Sequence, residues 1–108
     1  MVIPIKITNQ SMEVDYTYKK DIILQKIPAE IELEFNFSND WDSLQKNIVL
    51  FKNLKDFKEE LIIQGKYIIK KEDCSPPGIG FYIYGERFDR NYKKPTNKLF
   101  FKVLSEDE

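Results

Sequence analysis

Between Glu30 and Phe37 the chain alternates without a break: Ile31, Leu33, Phe35 and Phe37 are apolar, while Glu30, Glu32, Glu34 and Asn36 are charged or polar. Successive side chains of an extended strand point to opposite faces, so this run builds one dry face and one wet face. Wound as a helix, the same residues would spread apolar groups around the whole cylinder. The segment therefore predicts a strand of an antiparallel sheet that covers a core on one side only.

Shorter runs follow the same rule. Ile3, Ile5 and Ile7 alternate with Pro4, Lys6 and Thr8; Pro4 has no N–H to give to a ladder, which predicts an edge strand or a strand start. Met12, Val14, Tyr16 and Tyr18 alternate with Glu13, Asp15 and Thr17, and Asp21 to Gln25 reads as a short strand ending near Pro28. Ile48 to Phe51 is apolar on both faces, as a central strand is. Asp56 to Ile63 reads as a strand, although Phe57, Leu61 and Glu59-Glu60 leave a helix open, and Gly65 turns the chain into Lys66 to Ile69. Phe81 to Tyr84 predicts a strand closing at Gly85, and Leu99 to Leu104 the last one before a solvated acidic tail at 105–108. Ser38 to Leu44 is rich in turn and capping residues and predicts a turn or a single helical turn. Lys70 to Cys74 predicts a second, halted by Ser75-Pro76-Pro77-Gly78. About eight short, mostly antiparallel strands with one or two short helical turns, in a chain of 108 residues, predict one all-β domain over 1–108, a β-sandwich or barrel.

The residue inventory narrows the chemistry. The chain has no His, which removes the usual general base at neutral pH and the commonest zinc ligand, and a lone Cys removes thiolate metal sites. Cys74 reads as a small, semi-buried residue rather than a reactive thiol. Seventeen basic against eighteen acidic residues give a net charge of −1, without the footprint of a nucleic-acid or anionic-membrane binder. No apolar run approaches the ~20 residues of a membrane span, and Met-Val-Ile-Pro lacks the charged start of a signal peptide. The expectation is a non-catalytic protein without cofactor or metal.

Four features remain. Glu30, Glu32 and Glu34 share a strand face about 7 Å apart, a spacing open to calcium or glycosidase chemistry; the plainer reading is the polar face of a half-exposed strand with Lys on its neighbour. Gly78-Ile79-Gly80 lacks the third glycine and the Lys of a phosphate loop. Trp41 is either an exposed anchor or a plug at the open end of the core; the plug is favoured, with Asp40 and Asp42 bonding the turn backbone. Glu86 to Pro95 reads as a loop, and it holds both arginines of the chain. Its Arg87, Phe88, Arg90 and Tyr92, beside Lys93 and Lys94, are the candidate partner-binding residues, since Arg and Tyr dominate binding hot spots. The alternative is a long hairpin connection pinned by Asp89–Arg pairs.

One combination of these elements has a parallel. An alternating strand, then Ser38-Asn39-Asp40-Trp41-Asp42-Ser43-Leu44-Gln45-Lys46, then Ile48-Val49-Leu50-Phe51-Lys52, resembles a family of phage and prophage tail or baseplate structural domains, like the N-terminal domain of the baseplate upper protein. The Pro-Gly turn before Phe81-Tyr82-Ile83-Tyr84-Gly85 and Pro95-Thr96-Asn97 before the last strand fit the same pattern, so the resemblance spans about residues 31 to 103. It implies an immunoglobulin-like β-sandwich without catalytic residues, contacting other virion subunits or itself, in a virion or in the host bacterial cytoplasm. It makes Trp41, Asp42, Gly78, Gly85 and Thr96 signature positions of the fold. A second reading from another class is a stand-alone phage-encoded effector that binds and inhibits a host protein such as a defence nuclease. A third, a glycan-binding domain, requires exposed aromatics on one face.

Overall fold

The computed structural model describes residues 2–14, 23–24, 30–52, 56–74, 78–87 and 92–103. In chain order they form β1 (Val2–Thr8), β2 (Ser11–Val14), β3 (Ile23–Leu24), β4 (Glu30–Phe37), β5 (Gln45–Lys52), β6 (Asp56–Leu61), β7 (Lys66–Lys70), β8 (Gly78–Arg87), β9 (Tyr92–Pro95) and β10 (Leu99–Val103). Two 3-10 turns, Asn39–Trp41 and Lys71–Asp73, fall where the sequence predicted them. One sheet runs β2-β1-β4-β7 and the other β3-β10-β8-β5-β6, with β9 also on β8. This is the expected all-β sandwich, and it is mostly antiparallel; the parallel pairs are β1 with β4 and β3 with β10.

The inner faces follow from the period-two runs. In the smaller sheet, register places Ile3 beside Leu33, Ile5 beside Phe35 and Ile31 beside Ile69. In the larger, Ile48 lies beside Ile83, Leu50 beside Phe81 and Phe101 beside Ile79. All of these belong to one buried cluster. Within it Phe81 and Phe101 meet edge-on, centroids 5.5 Å apart, an arrangement favoured by the ring quadrupoles. β5 is buried over Asn47–Leu50 and flanked by β6 and β8, which explains why it is apolar on both faces.

Several expectations change. Pro4 does not mark an edge: β1 lies between β2 and β4. The described ladder to β2 runs from Ile5 opposite Val14 to Thr8 opposite Ser11. Asp56 to Leu61 is a strand, not a helix, because its register against β5 is continuous from Asp56–Lys52 to Leu61–Asn47. The stretch Glu86 to Pro95 is not one long loop. Residues 92–95 form β9, which pairs with 84–87 of β8. β5 runs along one side of β8 over 79–86, so β9 and β10 share the other side end to end. The expected strand at 21–25 is described only at Ile23–Leu24, and Tyr16, Tyr18, Ser75-Pro76-Pro77 and the 105–108 tail lie outside the described residues.

Two turns move the chain where the sheets need it. Gln64 and Gly65 both take positive φ, 54° and 71°, as a two-residue type I′ hairpin requires. Lys66 N–H closes it on the Ile63 carbonyl at 3.1 Å, and β7 then leaves the larger sheet for the smaller. Gly85 has a different task. A Cβ there would stand 2.6 Å from Leu44 Cδ1 and 2.9 Å from Trp41 Cζ3. Glycine is needed for close approach, and a Gly85→Ala variant should lose about 1–3 kcal/mol of unfolding free energy in urea melts. An unchanged midpoint would show that the corner around Trp41 yields freely.

Candidate functional site

Trp41 and Gly85 meet at one corner of the sandwich. Trp41 is fully buried, its Nε1–H donates to the Asn9 carbonyl at 2.7 Å, and its ring packs on Phe37 with centroids 5.3 Å apart. It is the plug that the sequence favoured, not an exposed platform. The flanking acids differ. The Asp40 carboxylate accepts its own backbone N–H in the turn, as expected. Asp40 accepts from the Ser38 hydroxyl and from the Lys94 ammonium, and Asp42 is exposed.

Lys94 is the residue that sequence reasoning missed. It is only 7% exposed, paired with Asp40, and its Nζ lies 5.3 Å from the centroid of the Trp41 ring. A buried ammonium needs such compensation. The same ammonium, then the Ser38 hydroxyl, hold the Asp40 carboxyl below its ordinary value of 3.8.

The Pro95-Thr96-Asn97 element ties the sheets together by backbone mimicry. Thr96 N–H donates to the Ile83 carbonyl at 2.8 Å, and Ile83 N–H donates back to Thr96 Oγ1 at 3.0 Å. Asn97 does the equivalent on the other sheet: its Oδ1 accepts from Met12 N–H at 2.6 Å and its Nδ2 donates to the Met12 carbonyl at 2.9 Å. Gln10 Nε2 adds a bond to the Pro95 carbonyl at 3.1 Å. Gly78 serves packing too, since a Cβ there would lie 2.5 Å from the Phe101 carbonyl oxygen. Trp41, Gly78, Gly85 and Thr96 thus hold the fold.

A second polar group lies between β6 and β7. Asp73, almost fully buried, faces Lys58 Nζ at 2.5 Å and Lys52 Nζ at 3.7 Å. Burial opposes the Lys58 ammonium, but the bond to Asp73 and the nearby acids outweigh it and raise its pKa. Tyr67, bonded to Glu60, is pushed up to about 12, chiefly by burial. Cys74 beside this group is buried, not semi-buried, and burial followed by the charge of Asp73 pushes its thiol up to about 11. Such a thiol is neutral at pH 8 and inert.

The Glu30, Glu32 and Glu34 row takes the plainer form. Glu30 lies opposite Lys70 and Glu34 opposite Lys66, whose Nζ is 3.8 Å from Glu34 Oε1. Among the described residues no three His, Cys, Asp or Glu are grouped to hold a metal ion, and no helix is long and apolar enough to cross a membrane.

The candidate partner-binding set is only partly described. Arg87 is half-buried at the end of β8 and stands opposite Tyr92 in the hairpin ladder. Phe88, Asp89, Arg90 and the Tyr92 side chain lie outside the described residues.

A larger apolar surface lies elsewhere. Ile48 and Leu50 of β5 face the core, so Asn47, Val49 and Phe51 face outward, and directly opposed residues share that face. One row crosses four strands there: Phe57 of β6, Phe51 of β5, Gly80 of β8 and Phe100 of β10. Phe57 is 69% and Phe100 62% exposed. Phe51 is half-buried between Tyr82 and Lys98, whose Nζ lies 5.1 Å from the ring. Leu61 continues the apolar surface beside Tyr84, whose hydroxyl donates to Glu59 Oε1 at 2.5 Å. The signal for this face was in the sequence: Val49 and Phe51 break the polar alternation of β5, and Tyr82 and Tyr84 do so on β8.

Three measurements probe these assignments. Thr96→Val should cost about 1 kcal/mol, the net worth of a buried hydrogen bond, while Thr96→Ser costs markedly less in the same urea melts. Because the folded pKa of Asp40 is depressed, its stabilisation is complete above the ordinary value of 3.8 and drains away as pH falls below it. Asp40→Asn should therefore be less stable than wild type at pH 7 and show a flatter acid limb in thermal melts from pH 7 to pH 2. Cys74 should react with a thiol reagent at pH 8 no faster than the chain unfolds; rapid labelling of native protein would place the thiol at the surface. Scans against protein-family models, curated proteins and solved structures each return no match for this chain, so its functional reading rests on the residues themselves.

Proposed function

We propose that this domain is a non-catalytic module that holds protein partners, within a phage or prophage tail, baseplate or related virion assembly. The observation that carries the reading is the distribution of apolar surface. The fold spends its Trp, its buried Lys and its conformationally special glycines on packing. Phe57, Phe100 and Leu61 are left exposed around half-buried Phe51 on one sheet face. Contiguous exposed apolar surface rimmed by polar groups is characteristic of protein contact sites. Aliphatic Leu61 and Ile63, farther along the chain from Phe57, suit a protein partner better than a sugar, which stacks on flat rings flanked by hydrogen-bonding groups. The sequence resemblance around Trp41 and Asp42 supplies the setting.

The test is recovery of the tagged chain from infected cells and from purified virions. Tail or baseplate subunits should accompany it, and a double Phe57→Lys, Phe100→Lys variant should lose them while keeping its unfolding midpoint within about 0.5 kcal/mol of wild type, as surface changes do. Absence from virions together with stoichiometric recovery of a host enzyme would sink the virion assignment and favour the inhibitory effector. Saccharide binding abolished by the same double variant would replace both with a glycan-binding domain.

A further inference from the structure

The outer edge of β6 carries the surface argument further. Of the six large apolar side chains that are exposed among the described residues, Phe57, Leu61 and Ile63 lie on or just beyond this one strand. β6 ends the larger sheet, and no described strand pairs with its far side. Its backbone polarity can be assigned from two hydrogen bonds. Ile62 N–H donates to the Lys46 carbonyl of β5, and Lys66 N–H donates to the Ile63 carbonyl on the opposite side. Alternate residues of a strand turn their N–H and C=O to alternate sides. Even-numbered residues of β6 therefore bond inward to β5. Phe57, Glu59 and Leu61 present their N–H and C=O groups to the open side.

An open edge with apolar side chains is a template for another strand, and its own sequence is the best match for it. An antiparallel second copy related by a two-fold axis through Glu59 places Phe57 against Leu61 of the copy, and Lys58 against Glu60. It also sets Glu59 against its own counterpart. All three odd-numbered residues then face odd-numbered residues, so their outward N–H and C=O groups pair, and each side chain stays on its own face of the joined sheet. Moving the axis by one residue pairs Lys58 with Lys58 and Phe57 with Glu59, or pairs Glu60 with Glu60 and Leu61 with Glu59. Only the Glu59 register sets apolar against apolar and keeps Lys58 and Glu60 from each meeting its own counterpart. The remaining difficulty is two carboxylates at the axis. Glu59 avoids it by leaning back over its own sheet to accept the Tyr84 hydroxyl at 2.5 Å. Lys58, the charge that would ordinarily guard an edge, is turned away to Asp73.

We propose that this chain pairs with a second copy of itself through antiparallel β6 edges centred on Glu59, which joins their larger sheets into one. The inference rests on the reading of the domain as a contact module and names its partner. A five-residue edge is smaller than a stable interface needs, so the dimer is weak, with a Kd on the order of 100 μM.

Sedimentation equilibrium on the full chain, from about 10 μM to about 1 mM to bracket that Kd, should show the average mass rising from monomer towards dimer. Leu61→Lys should stay monomeric with an unchanged circular dichroism spectrum. A register-specific test uses Glu59→Cys in a Cys74→Ala background. Directly opposed residues of a hydrogen-bonded antiparallel pair have Cα atoms about 5.5 Å apart, within disulfide reach, so mild oxidation should trap a covalent dimer. Glu13→Cys, on β2 of the other sheet, should trap little and measures random collision. Monomer at every concentration, or equal trapping at both positions, overturns the pairing. A chain that stays monomeric yet brings down tail subunits would overturn only the self-pairing; a trapped dimer recovered with no virion protein would overturn only the virion assignment.

Discussion

Two apolar sheet faces attract each other without direction, since burying hydrocarbon constrains area rather than orientation. What fixes one sheet against the other here is a pair of neighbouring residues that act as pieces of backbone. Thr96 exchanges two hydrogen bonds with Ile83 in the larger sheet, and Asn97 exchanges two with Met12 in the smaller. Each side chain supplies to a strand the donor or acceptor that a neighbouring strand would have given. Pro95 holds the chain into the crossing, and its carbonyl receives Gln10. With that crossing in place, Trp41 can seal the corner, Gly85 must remain bare beneath it, and Lys94 can be buried against Asp40. Remove the paired bonds and the relative position of the sheets rests on packing and on the ion pairs of Asp73 and Lys94.

The parts of this architecture that were legible are those set by local periodicity. The alternation of β4 and the two-faced apolarity of β5 each follow from which faces of a strand touch the core. The turn at Asn39–Trp41 was legible from the turn and capping residues around it, and the one at Lys71–Asp73 from the Ser75-Pro76-Pro77-Gly78 stop that follows. Long-range partners were not. Nothing in Ile3-Pro4-Ile5 says that β1 runs parallel to β4 in the middle of a sheet, and Pro4, with no N–H for a ladder, pointed the other way. β9 was hidden by Tyr-Lys-Lys-Pro, a composition that reads as solvent-facing loop. Lys94 is buried only because Asp40, fifty-four positions earlier, comes to meet it.

The same reasoning separates residues that hold the fold from those that face outward. Trp41, Gly78, Gly85 and Thr96 are all engaged in packing or in backbone pairing, so their distinctive chemistry is consumed inside the molecule. The buried Asp73 with Lys58 and Lys52 joins the smaller sheet to the edge of the larger, a costly ion pair that also restrains β6 where it borders solvent. What is left over is the outer face of the larger sheet with its row of Phe57, Phe51 and Phe100, and this surplus of apolar surface is what makes a contact role the economical explanation.

The bonds between Asn97 and Met12 join residues eighty-five positions apart. On a ribosome, β2 is complete long before Asn97 has been synthesised, so the Met12 N–H and C=O must wait in water until nearly the whole chain has emerged. Contacts of such sequence separation form late and slow the overall folding of β proteins. During that interval the smaller sheet has its strands but not its anchor, and a nascent chain stalled before residue 97 would lack both that anchor and β10 of the larger sheet. The asparagine that anchors the smaller sheet thus arrives together with the last strand of the larger one.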